Sequence, residues 1–75
     1  MYNVKTELVK DLKGGRTARY IAETLDVTES YISTIFNNKI KCTKIIAMGL
    51  ISIRYNVAFN SVEMQELIEK HFIKS

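Results

Sequence analysis

The sequence predicts an all-α fold: five short helices packed into one compact domain over residues 1–75. Three observations predict it. Apolar residues recur at three- and four-residue steps in five successive segments, the spacing of one helical face. A Ser or Thr able to cap a helix stands before three of them, at Thr17, Thr28 and Ser61. The chain has no proline and only three glycines, so it lacks the turn punctuation that a sandwich or barrel needs.

The first segment sets Val4, Leu8 and Leu12 four residues apart, with Val9 beside them, and stops at Gly14-Gly15. Thr17 caps a second helix whose buried side is Tyr20, Ile21 and Leu25. Thr28 caps a third, with Glu29 placed where a carboxylate suits the helix dipole. Ile32 and Ile35 face inward, and Asn37-Asn38 ends the helix, since Asn tolerates a left-handed backbone. The fourth segment, Thr43 to Tyr55, is rich in β-branched residues and carries Gly49 in its middle. Its composition fits a buried strand; its length and helical neighbours favour a helix. A glycine there costs a helix about 1 kcal/mol relative to Ala unless it permits close packing. Ser61 caps the last helix, where Met64, Leu67, Ile68, His71 and Phe72 form the stripe and Glu63, Glu66, Glu69 and Lys70 the outer face.

Composition narrows the function classes. Hydrophobic residues make up 47% and charged residues 25%, which is ordinary for a folded chain. The one cysteine, Cys42, allows no intrachain disulfide, and with one histidine it makes no zinc site. No signal peptide is expected, and the apolar run Ile45 to Ile53 is about half of what a bilayer span needs. A cytoplasmic protein is expected, with no membrane partner, metal or cofactor. No nucleophile–base pair, paired carboxylates or glycine-rich phosphate loop is legible, so no enzyme and no small-molecule substrate are expected. Net charge is +3 and unevenly spread. Residues 1–60 hold nine Lys/Arg against five Asp/Glu, whereas the last fifteen hold two against three. The basic part would suit a polyanion.

The informative stretch is residues 17–39, TARYIAETLDVTESYISTIFNNK. Two helices crossing through a short turn need a small residue at closest approach, Ala22, and apolar residues at Ile21, Leu25, Val27, Ile32 and Ile35. The turn needs a residue that accepts positive φ, and Asp26 stands there. This spacing resembles the central helix-turn-helix of the phage repressor/Cro-like (XRE-type) DNA-binding family, although Asp26 replaces the usual glycine. The resemblance implies a lambda-repressor-like five-helix fold. It also implies a sequence-specific transcriptional regulator of double-stranded DNA in a bacterial or phage-infected bacterial cell. A second reading is a helix-turn-helix scaffold that binds a protein partner, as phage anti-defence or anti-CRISPR factors do.

Helical periodicity turns Ser30, Ser33, Thr34 and Asn37 outward on the third helix. In the resembled family this helix enters the major groove and its first half reads base edges. That makes Glu29, Ser30 and Thr34, with Ser33 close by, the expected base readers. Glu29 would accept from a cytosine amino group, and the hydroxyls would bond either way or meet a thymine methyl. Arg16, Thr17 and Arg19 at the start of the second helix, and Asn37, Asn38, Lys39, Lys41 and Lys44 at the end of the third and beyond it, are the expected phosphate contacts. Finally, Ile51 to Phe59 holds more large apolar residues than a short helix and its loop can bury. Tyr55, Val57 and Phe59 therefore either form a homodimer interface, as a palindromic operator requires, or cover the core from the loop.

Overall fold

The computed structural model describes residues Met1–Lys74. Five helices follow in order: α1 (Thr6–Lys13), α2 (Ala18–Leu25), α3 (Glu29–Phe36), α4 (Lys44–Tyr55) and α5 (Val62–His71). Two three-residue strands, β1 (Tyr2–Val4) and β2 (Phe72–Lys74), pair antiparallel with Tyr2 opposite Lys74 and Val4 opposite Phe72. The all-α expectation is thus corrected: the helical set is present, and a small sheet joins the two ends of the chain. The radius of gyration, 11.1 Å, is close to the roughly 11 Å of a compact chain of this length.

Four helices begin on a side-chain cap. Thr17, Thr28, Thr43 and Ser61 each accept a hydrogen bond from the backbone N–H three residues on, at 3.0–3.3 Å. These caps satisfy amides that the first helical turn leaves unpaired. Three helices end on a left-handed residue that is never glycine: Asp26 (φ 57°), Asn38 (φ 55°) and Asn56 (φ 56°). Asx side chains tolerate this region better than other non-glycine residues. After α2, Val27 N–H bonds back to the Ala22 carbonyl and Asp26 N–H to that of Glu23. After α3, Lys39 N–H bonds to the Thr34 carbonyl and Asn38 N–H to that of Ile35. Both are the paired closure that turns a chain sharply out of a helix. Gly14, by contrast, ends α1 with an ordinary right-handed backbone.

The core takes Leu8 and Leu12 from α1, Ile21 and Ala22 from α2, and Ile32, Ile35 and Phe36 from α3. It is completed by Ala47, Leu50 and Ile51 from α4 and Met64 and Ile68 from α5. Each fully buried Leu or Ile is worth ~1.5–3 kcal/mol, and a chain this small has few to lose. α4 is a helix despite its β-branched run, because Ala47, Leu50 and Ile51 share one buried face. Gly49 has a packing reason to be there: a Cβ at that position would stand 2.5 Å from Leu25 Cδ2, so its absence lets α4 close on α2.

Two sequence expectations fail in instructive ways. Val4 is buried, but in β1, not on the first helix; Lys5, extended at φ −77° and ψ 148°, separates it from α1. Tyr20, expected on the buried side of α2, is 53% exposed. His71 is buried on α5, where its Nε2 and the Tyr55 hydroxyl lie 2.9 Å apart and the two rings stack at 5.4 Å. Burial is the main cause that lowers the His71 pKa; Lys70 adds to it, while Asp11 and Glu7 oppose it.

Candidate nucleic-acid interface

α3 is held so that one face alone can meet a partner. Ile32, Ile35 and Phe36 are buried, while Glu29, Ser30 and Ser33 are exposed and Thr34 is half-buried. Among the described residues, the Ser30 and Ser33 hydroxyls make no hydrogen bond within the chain. Thr34 differs: its hydroxyl donates to the Ser30 carbonyl at 2.8 Å. Thr34 therefore offers a partner an acceptor and a methyl group, but its donor is already used.

Asn38 and the loop after it form one unit that sequence reasoning did not foresee. The Asn38 amide donates to the Val4 carbonyl and accepts from Asn3 Nδ2, both at 3.3 Å. Four residues on, Cys42 exchanges two backbone hydrogen bonds with Tyr2, at 2.8 and 2.9 Å. The β1 strand thus grips both ends of the segment that displays Lys39, Ile40 and Lys41 to solvent. Asn38, expected as a phosphate contact, has its side chain committed to this strut, and Asn37 stays exposed. Cys42 is wholly buried at the second anchor, and burial pushes its thiol up to about 11, so it remains protonated and inert.

The cations fall into two groups. Lys39, Lys41 and Lys44 are exposed and, among the described residues, lie in no ion pair. Arg19 bonds Glu23 through Nε at 3.0 Å, with both side chains largely in solvent. A pair this open contributes about 0.3–0.5 kcal/mol and yields readily to a phosphate. Arg16 is half-buried and donates one N–H to the Ile53 carbonyl at 3.4 Å, bracing the start of α2 against the end of α4. Thr17 uses its oxygen as a cap acceptor, which leaves its hydroxyl hydrogen available outside.

Helix polarity sharpens this picture. α1, α3 and α5 each carry an acid in the first turn (Glu7, Glu29 and Glu63), whereas α2 and α4 carry none. In those two, Arg19 and Lys44 occupy the first turn instead. A cation there opposes the helix dipole and costs stability, but together with the free amides it makes an anion-seeking end.

No family model, curated protein or solved structure matches the chain.

The residues expected at a dimer interface separate. Tyr55 packs on His71, with the Arg54 guanidinium 4.7 Å above its ring, and Val57 is half-buried against the core. Both border a shallow depression together with Leu67, Glu63 and Glu66. Phe59, 46% exposed, borders other depressions beside Tyr20 and Lys44. Ile51 is fully buried, so the apolar surplus of this stretch is smaller than the sequence implies. Among the described residues no group of three His, Cys, Asp or Glu side chains could hold a metal ion. No described helix is long and apolar enough to cross a membrane.

Proposed function

We propose that this chain is a sequence-specific double-stranded DNA-binding regulator of the repressor/Cro kind, in which α2 and α3 act as a helix-turn-helix. The observation that carries the reading is an outward hydroxyl face on α3 followed directly by exposed Lys39 and Lys41, which among the described residues lie in no ion pair. α3 enters the major groove, and Glu29, Ser30 and Ser33 meet base edges, with Thr34 contributing an acceptor and its methyl group. Glu29 repels phosphate, which favours presenting this helix end to a cytosine amino group and not to the backbone. Thr17 and Arg19 at the start of α2 hold one strand; Lys39, Lys41 and Lys44 hold the other, with the capped amides of α4 behind them.

A single α3 spans too few base pairs for useful selectivity. A homodimer on a palindromic operator supplies two such helices about 34 Å apart. Phe59 is the exposed member of its proposed interface, with Tyr55 and Val57 at the edge. The proposed setting is the cytoplasm of a bacterial or phage-infected cell.

Selection from random duplex DNA at one stated salt concentration tests the reading. A two-fold symmetric consensus with half-sites one helical turn apart is expected. Recovery of no consensus, with binding equal on all duplexes, would remove both the regulator and the dimer.

A further inference from the structure

We propose that the groove between α2 and α4 is a docking site for an acidic amphipathic helix of a partner protein. The groove is built by Gly49. With no Cβ at that position, α4 lies close against Leu25, and an open depression of about 390 Å³ forms beside them. Tyr20 and Phe59 stand on its borders, 53% and 46% exposed. Each also borders a neighbouring depression: Tyr20 the one that contains Arg16, Phe59 the one that contains Lys44. The three depressions therefore adjoin through two large, half-exposed aromatics.

Shape and charge together select the occupant. A cleft walled by two helices and bordered by aromatics takes the apolar stripe of a third helix. Exposed Tyr and Phe beside such a cleft are the residue types that anchor protein partners. Among the described residues, the only charged ones across the three depressions are Arg16 and Lys44, one in each outer depression, and no carboxylate borders any of them. A fourth depression has the opposite rim, with Glu63 and Glu66. A helix with two or three large apolar residues on one face and carboxylates toward both ends satisfies the floor and both rims. A basic helix would meet like charge at each end.

The inference does not rest on the DNA reading: a groove of this shape and charge takes such a helix whether or not α3 meets bases. Where both hold, occupancy takes Lys44 from the duplex and Phe59 from the dimer seam, so the partner helix competes with operator binding.

Panning a displayed library of helix-forming peptides on the whole chain tests it. Enriched peptides are expected to carry apolar residues at i, i+3 or i+4 and i+7, with an excess of Asp and Glu toward both ends. A synthetic peptide of the enriched consensus should bind saturably and shift the Leu25 and Gly49 amide resonances most. Phe59→Ser should weaken it roughly thirtyfold, the effect of removing one aromatic anchor. Tyr20→Ser serves the same purpose should the first variant fail to fold by circular dichroism. Neutralising both rims, Arg16→Gln with Lys44→Gln, should cost about tenfold. Enrichment of basic or uncharged peptides, no enrichment at all, or shifts centred elsewhere would overturn the proposal. So would a dimer that Phe59→Ser splits but that saturating peptide leaves intact, since the groove would then be held by a second copy of this chain alone.

Discussion

The starts of α2 and α4 and the starts of α3 and α5 are closed by the same chemistry and charged in opposite ways. All four place a Thr or Ser hydroxyl on the third backbone amide, at 3.0–3.3 Å. Yet α3 and α5 follow the cap with Glu29 and Glu63, while α2 and α4 follow it with Arg19 and Lys44. Capping satisfies the backbone, so it recurs wherever a helix begins. First-turn charge is worth only ~0.3–1 kcal/mol to the fold, so it is free to answer to what lies outside. Two ends that sacrifice that stability are the two proposed to meet phosphate. The start of α5, which is not proposed to meet DNA, keeps it.

The largest effect should come from the exposed lysines after α3. Replacing Lys39, Lys41 and Lys44 together by Ala should lower the slope of log affinity against log salt by about three, one for each phosphate that is no longer neutralised. Affinity should fall for every duplex alike, with no change of consensus. Removing Lys70, on α5 beside Glu66 and Glu69, should leave the slope where it was. Equal slopes for the two variants would erase the distinction between the two ends.

Base readout should respond differently. Ser30→Ala or Ser33→Ala should cost about 1–3 kcal/mol on the preferred operator and relax selection at one or two positions. Thr34→Ala should cost less than either, because its donor is engaged by the Ser30 carbonyl. Normal folding with unchanged affinity and consensus in all three would exclude α3 as the reader.

The cap itself should make no such distinction. Thr43→Ala, before Lys44, and Ser61→Ala, before Glu63, should each destabilise by about 1 kcal/mol. Chemical denaturation measures both, and a twofold disparity would mean that the caps are not equivalent.

What the sequence reveals and what it hides follow from the range of the interaction. The caps at Thr17, Thr28 and Ser61 and the left-handed turn at Asp26 involve partners within five residues, so residue type and spacing expose them. The strut from Asn38 to Asn3 and Val4, and the Tyr2–Cys42 bridge, join positions more than thirty apart and leave no local trace. The strands hide for a further reason: Val4 lies four before Leu8, and Phe72 four after Ile68, so helical periodicity absorbs both. Tyr20 deceives by the same arithmetic, since it sits beside Ile21 on a helix whose buried face is narrow. Gly49 shows the converse. It weakens the local case for a helix, and only its contact with Leu25 explains why α4 keeps it.

The smallest effect is also the sharpest, because it sets stability against binding in one residue. Lys44→Glu places a carboxylate at the start of α4, beside amides that Thr43 only partly satisfies. At low salt this should stabilise the fold by ~0.3–1 kcal/mol, raising Tm by roughly 2–6 °C. The same change should weaken DNA binding, since it replaces an attraction for phosphate by a repulsion. Glu63→Lys reverses the sign on α5: Tm should fall by a similar amount, and operator affinity should hold. High salt should shrink both Tm shifts, because charges this exposed are screened. If Lys44→Glu leaves DNA affinity intact while Tm rises, Lys44 touches no phosphate, and the unfavourable charge at that helix end has some other cause. If Tm falls instead, Lys44 makes a stabilising contact that outweighs the dipole, and the contrast between the two sets of helix ends is no longer one of function against stability.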